Sequence, residues 1–178
     1  MRRTLVLGGS RSGKSAHAEG LLSGTEPALY LATGRRPEDD DEWRLRIDAH
    51  AARRPLAWRT IETTDPASVL MAARADGPPL LLDDVATWLS GLLDDTGAWD
   101  GGTRELAAAR LRADRLVTAV ACCPARLVLV SAEVGLGVVP ATRSGRLFRD
   151  ELGIVNARLA HLCDEVLLLV AGIPMRLR

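Results

Sequence analysis

The chain is poor in several residue types, and each shortage narrows what it can be. It has three cysteines, Cys122, Cys123 and Cys163, too few for a disulfide framework. Cys122 and Cys123 are adjacent and lack metal-ligand spacing, so they read as small residues of a reduced, cytosolic protein. No apolar run approaches the roughly 20 residues that span a bilayer. The apolar stretch after Met1-Arg2-Arg3 is only Thr4-Leu5-Val6-Leu7, too short for a signal peptide. A cytoplasmic location is expected. The 23 basic and 23 acidic residues cancel, which argues against a nucleic-acid partner and an anionic membrane surface but leaves room for a local anion site. Asparagine occurs once, at Asn156, and glutamine not at all. Of the 23 basic residues, 22 are arginine and one is lysine, Lys14. In so arginine-biased a chain, the lysine that persists marks a position worth inspecting.

What is present is ordinary for a globular domain. The chain has 178 residues, 47% of them apolar and 26% charged, which excludes disorder and collagen-like repeats and fits one domain over 1–178. Short apolar runs alternate with helical stretches. Thr4 to Leu7, Ala28 to Ala32, Trp58 to Glu62, Leu80 to Leu82, Arg126 to Ser131 and Glu165 to Val170, the last, read as strands. Lys14 to Leu22, Pro37 to Ala52, Pro66 to Ala75, Ala86 to Leu93, Thr103 to Cys122 and Arg143 to Leu162 read as helices, with Gly153 a weak point in the last. Asp94 to Gly102 and the Gly-rich Glu133 to Pro140 read as loops. The alternation predicts an α/β fold, a mostly parallel sheet with helices on both faces. Such sheets bind ligands at the carboxyl ends of their strands.

The first strand runs into Gly8-Gly9-Ser10-Arg11-Ser12-Gly13-Lys14-Ser15, a full match to G-x-x-x-x-G-K-[ST] between a strand and a helix. The glycines let backbone N–H groups turn toward phosphate oxygens, and the helix brings its positive end to the same place. Lys14 is expected to reach the β- and γ-phosphates and Ser15 to hold Mg²⁺. The competing reading is a Gly/Ser-rich turn, less apt because the sole lysine fills the lysine slot. A metal-side carboxylate is expected at the end of a neighbouring buried strand. Leu80-Leu81-Leu82-Asp83-Asp84 supplies one, with a helix N-cap as the other use of these aspartates.

Three histidines are present. His17, on the helix after the loop, and His161, at the end of the last helix, read as packed, surface or capping residues. On a helix His50 has Arg46 at i−4 and Arg54 at i+4. Cationic neighbours keep an imidazole neutral, and a neutral imidazole attacks phosphorus while arginines stabilise the developing charge. A surface histidine among arginines remains the alternative on spacing alone.

These residues together resemble the bifunctional adenosylcobinamide kinase / adenosylcobinamide-phosphate guanylyltransferase family, nearly end to end. The match takes in the phosphate loop, Tyr30-Leu31-Ala32-Thr33, Arg46-Ile47-x-x-His50-x-x-x-Arg54-Pro55 and Trp58-Arg59-Thr60-Ile61-Glu62. It continues through Leu81-Leu82-Asp83, Glu133-Val134-Gly135-x-Gly137-x-Val139-Pro140, Phe148-Arg149-Asp150 and Val155-Asn156-x-x-Leu159-Ala160, then Asp164-Glu165-Val166 and Gly172-Ile173-Pro174. The histidine block and the Glu133 loop are the specific elements. The resemblance implies a P-loop NTPase fold of the RecA-like kind and a homotrimer. It implies ATP or GTP as phosphoryl donor to adenosylcobinamide. It then implies transfer of GMP from GTP, through guanylylated His50, onto the resulting phosphate. Ala32, Thr33, Gly34, Ala52, Arg53, Arg54, Pro55, Glu62 and Asp83 match nucleotide-associated positions. Ala132 departs from the family, which commonly has asparagine there.

Two other readings compete: a small-molecule P-loop kinase with no covalent step, and a GTP-binding regulatory or assembly module without catalysis. The first predicts no nucleotide label on denatured protein. The second predicts binding without turnover.

Overall fold

The computed structural model describes residues 2–22, 27–34 and 54–178. In chain order they form β1 (Arg3–Gly8), α1 (Lys14–Gly20), β2 (Leu29–Ala32), β3 (Arg59–Glu62), α2 (Pro66–Met71) and β4 (Leu80–Asp83). Then come α3 (Val85–Thr96), α4 (Thr103–Cys122), β5 (Leu127–Ala132), α5 (Arg143–Leu162), β6 (Glu165–Val170) and β7 (Ile173–Arg176). Among the described residues the strands make one sheet in the order β3-β2-β4-β5-β1-β6-β7. Every pairing is parallel except β6 with β7.

The central strands are apolar without alternation because both faces are covered. Leu5 and Leu7 of β1, Leu80 and Leu82 of β4 and Leu127 and Leu129 of β5 join α3, α4 and α5 in one core. Val6, Leu81, Val128 and Val130 point the other way, where they pack with Ala18 and Leu22 from the α1 region and with Tyr30 and Trp58. The period-2 alternation thus sorts each strand between two cores. A cleft of about 520 Å³ lies where Trp99 meets Phe148 near the start of α5, and its lining includes no phosphate-loop residue.

Helix ends follow their local chemistry. Asp65 caps α2 by accepting from the Ser68 N–H, and Pro66 fills the first helical position. Asp84 caps α3, its carboxylate accepting from the Thr87 N–H at 2.6 Å. Helix α2 stops at Met71, short of Ala75, because Gly77 and the following prolines turn the chain there, with the Gly77 N–H donating to the Arg74 carbonyl at 3.0 Å. Helix α3 runs on through Asp94, Asp95 and Thr96, where a loop is expected, and ends at Gly97 with φ 67°. The Trp99 indole N–H donates to the Asp94 carboxylate at 2.5 Å, tying that end down. Gly153 lies within α5 without ending it, as Leu152 and Val155 on either side are buried.

Glu165 to Val170 is not the last strand. Ala171 and Gly172, both at positive φ (51° and 81°), form a two-residue turn into antiparallel β7. Pro174 sits on this edge strand, the place in a sheet that tolerates a missing N–H.

Candidate active site

The phosphate loop joins the carboxyl end of β1 to α1. Glycine is required where the chain turns tightest. A Cβ on Gly8 would lie 2.4 Å from Ser12 Oγ, and Gly13, the N-cap of α1, has φ 87°. The Ser12 N–H donates to the Gly9 carbonyl at 3.3 Å, and the His17 N–H donates to the Gly13 carbonyl at 2.9 Å. The β6–β7 turn braces the loop from outside, with the Gly172 N–H donating to the Ser12 carbonyl at 3.1 Å. Lys14 Nζ lies 3.4 Å from the Gly9 carbonyl, across the loop. Ser12 Oγ is buried with no hydrogen-bond partner among the described residues.

Asp83 ends β4. It is not beside the loop in the sheet, because β5 separates β4 from β1. The buried strand that carries the expected carboxylate is thus one removed from β1. Helix α1 crosses this gap, packing on β1, β5 and β4. Leu81 faces the α1 side of the sheet, so Asp83, two residues on, faces it as well. There Ser15 Oγ donates to Asp83 Oδ1 at 3.2 Å. The two aspartates part ways: Asp83 meets Ser15, and Asp84 is the one that caps α3. Burial, and then the charge of Asp83, push the Asp84 carboxyl up from the ordinary carboxylate range.

The remaining candidates line the same edge. Ala32 is in register with Asp83 on one side and with Glu62 on the other. Buried Thr33 donates through its hydroxyl to the Asp84 carbonyl at 2.7 Å and through its N–H to the Asp83 carbonyl at 3.3 Å. Gly34 follows it. Pro55 opens a turn closed by the Trp58 N–H at 2.9 Å. Arg54 lies over the Tyr30 ring, its guanidinium carbon 3.6 Å from the centroid, and donates to Thr60 Oγ1 at 2.9 Å. His50, Ala52 and Arg53, with Arg46, lie outside the described residues. His17 is on α1, two residues past Ser15, and His161 lies in the last turn of α5.

Sequence reasoning left Tyr30 without a role. Its hydroxyl donates to Asp83 Oδ2 at 2.5 Å. Burial, and then the Asp83 charge, push its phenol above the ordinary range. Strand register carries the signal. Tyr30 pairs with Leu81, which makes Asp83 its diagonal neighbour on the same face, within reach of an aromatic side chain.

At Ala132 the backbone carbonyl accepts from Asn156 Nδ2 at 3.0 Å, while Asn156 Oδ1 accepts from Ser131 at 2.7 Å. The chain's sole asparagine thus pins α5 to the end of β5. The loop beyond is anchored on both sides. The Glu133 N–H donates to the Gly8 carbonyl at 3.1 Å, and Arg149 Nη2 donates to the Gly135 carbonyl at 2.7 Å.

The donors beside the loop suit Mg²⁺. They are a hydroxyl and a carboxylate, both hard oxygen ligands, and they leave most of an octahedral shell to phosphate and water, the usual habit of this ion. Among the described residues no group of three His, Cys, Asp or Glu side chains forms a dedicated metal cage.

A phosphate loop opening a helix, with a carboxylate delivered to its serine across a parallel sheet, defines a P-loop nucleotide-binding domain. In keeping with this, the fold is similar to that of an ATPase from the type III secretion system of pathogenic bacteria. The TM-score is 0.50 at 13% identity, over 95% of this chain and 51% of that one, so the chain spans about half its length. Residues 4–177 match the family described as CobU, cobinamide kinase / cobinamide phosphate guanyltransferase. The chain belongs to that family. It is 40% identical over 181 residues to the bifunctional adenosylcobalamin biosynthesis protein CobU of Escherichia coli, covering 98% of each chain. It is 41% identical to the protein of the same name from Salmonella typhimurium, again over 98% of both. Against the bifunctional adenosylcobalamin biosynthesis protein CobP of Pseudomonas aeruginosa it is 38% identical, over 99% of this chain and 97% of that one. Among the described residues no helix is long and apolar enough to cross a membrane.

Proposed function

We propose that this chain is a single-domain, cytoplasmic transferase carrying both activities in the family's name. In the first reaction ATP or GTP phosphorylates the aminopropanol hydroxyl of adenosylcobinamide. In the second, His50 attacks the α-phosphorus of GTP, pyrophosphate leaves, and the GMP on the histidine is taken up by adenosylcobinamide phosphate. The product is adenosylcobinamide-GDP. The observation that carries this reading is the Ser15–Asp83 contact at the mouth of an intact phosphate loop, in a chain whose kinship covers 98% of its length.

Each residue has a task. Backbone N–H groups of the phosphate loop bind phosphate oxygens, and Lys14 supplies the fixed cation for the β- and γ-phosphates. Ser15 and Asp83 hold Mg²⁺, which when bound neutralises the charge that develops on the transferring phosphoryl group. Ala32, Thr33, Gly34, Ala52, Arg53, Arg54, Pro55 and Glu62 flank the nucleotide, and a homotrimer is the assembly in this reading.

The test is product analysis. Adenosylcobinamide, GTP and Mg²⁺ are incubated with the enzyme, and the corrinoids are separated and weighed by mass spectrometry. Adenosylcobinamide phosphate is expected first, then adenosylcobinamide-GDP with one pyrophosphate released per GMP transferred. A series that stops at the phosphate supports the kinase reading instead. Bound GTP with no corrinoid product supports the non-catalytic module.

A further inference from the structure

We propose that Tyr30 is a positioning residue for the metal carboxylate, holding Asp83 through its hydroxyl from a ring seated beneath the Arg54 guanidinium. The proposal rests on the reading of Ser15 and Asp83 as the Mg²⁺ groups. Among the described residues Asp83 receives one hydrogen bond on each oxygen, from Ser15 at 3.2 Å and from Tyr30 at 2.5 Å. Ser15 is a metal group itself, so Tyr30 is the partner that orients the carboxylate independently of the ligands. Its ring is well placed for this. Tyr30 is 2% exposed, Arg54 lies 3.6 Å from its centroid, and the Trp58 ring centre is 6.4 Å away. A phenol carries few rotatable bonds, so neighbours that fix the ring fix its hydroxyl too. Arg54 is in turn tied to Thr60 on β3 at 2.9 Å. The chain Thr60–Arg54–Tyr30–Asp83–Ser15 therefore connects the outer strand of the sheet to the first turn of α1 through side chains alone. Residues that orient a metal ligand without touching the metal alter metal affinity on the order of 10-fold or more when removed.

The experiment uses the full chain with Mn²⁺ as probe and a non-hydrolysable GTP analogue, with free Mn²⁺ followed by electron paramagnetic resonance. Tyr30→Phe is expected to weaken Mn²⁺ binding to the nucleotide complex on the order of 10-fold. Binding of the analogue without metal is expected to be unchanged, and turnover is expected to recover when Mg²⁺ is raised. A lower melting temperature with an unchanged Mn²⁺ affinity overturns the proposal, since that pattern belongs to a purely structural tyrosine. Asp83→Asn separates the two levels of the argument. If it leaves Mn²⁺ binding intact, the metal reading fails. If it abolishes binding while Tyr30→Phe leaves it untouched, the Tyr30 proposal alone fails. A second measurement needs no variant of Tyr30. The chain has one tyrosine, so [¹³Cζ]tyrosine labelling gives one carbon resonance. In wild type it is expected to keep the shift of a hydrogen-bonded phenol on adding Mg²⁺ and the analogue, and to move in Asp83→Asn. A resonance at the solvent-exposed value in the loaded wild type overturns the proposal.

Discussion

Ser15 and Asp83 are 68 positions apart in the chain, yet the serine hydroxyl donates to the aspartate carboxylate at 3.2 Å. Their strands are not neighbours, and the contact exists because α1 leaves β1 and crosses β5 to reach β4. Asp83→Asn keeps a similar shape but removes the negative charge, so it is expected to raise the Mg²⁺ concentration that half-saturates turnover. Asp84→Ala removes a helix cap instead. It is expected to lower stability by about 1 kcal/mol and to leave the half-saturating Mg²⁺ in place. Magnesium titrations and thermal melts of both variants check the division. Equal titration curves for wild type and Asp83→Asn contradict it.

Lys14→Ala removes the lysine of the phosphate loop. Weaker triphosphate binding and large losses in both activities are expected, with the circular dichroism spectrum and melting temperature close to wild type. Among the described residues Lys14 hydrogen-bonds to the Gly9 carbonyl, at 3.4 Å, so the fold has little to lose. Calorimetric titration with GTP beside a thermal melt makes the measurement.

Much of this site is legible in the sequence, for physical reasons that differ by residue. The loop is legible because its tasks demand particular residue types: a Cβ on Gly8 would crowd Ser12 and the Leu169 carbonyl, Gly13 sits at positive φ, and the sole lysine follows it. Asp83 is legible because a charge ending a buried apolar strand needs a partner. Which aspartate caps the helix is not legible, since both qualify and only the pleat separates them. The hairpin to β7 is missed for a related reason. Ala171 carries no turn signature and Pro174 argues against a strand, while the geometry needs only a tight turn and an edge position. Tyr30 is missed because its partner is set by the register of β2 against β4, which one strand alone does not reveal.

The hairpin turn bears on the phosphate loop through the Gly172–Ser12 hydrogen bond of 3.1 Å. Gly172 has φ 81°, and a Cβ there meets nothing within 4 Å, so the strain of Gly172→Ala is conformational and not steric. A loss of roughly 1–2 kcal/mol is expected by chemical denaturation. A weaker affinity for GTP should accompany it, because the turn braces the loop from outside.

Asp65 gives stability a pH dependence of known sign. The Ser68 hydroxyl is the largest influence lowering its carboxyl below the ordinary range, and Arg115, at 3.2 Å, adds to it. A carboxyl lowered by folding stabilises the protein above its unfolded pKa, near 3.9, and loses that contribution as pH falls through the folded value. Asp65→Ala is expected to cost about 1 kcal/mol at neutral pH. The gap between wild type and variant should narrow as pH falls below the ordinary aspartate range. Melting curves at a series of pH values follow it.

The central claim is the covalent histidine, and labelling tests it most directly. Wild-type protein is incubated with α-labelled GTP and Mg²⁺, denatured, and resolved by electrophoresis. A phosphoramidate survives alkali and breaks in acid, because the protonated nitrogen is the better leaving group. The account predicts a base-stable, acid-labile label with release of pyrophosphate. It predicts that His50→Ala abolishes the label while keeping at least part of the kinase activity, since phosphoryl transfer to a hydroxyl needs positioning and charge stabilisation and not a covalent enzyme. His17→Ala and His161→Ala should retain the label. Label from α-labelled GTP on His50→Ala would contradict the account and place the nucleophile elsewhere.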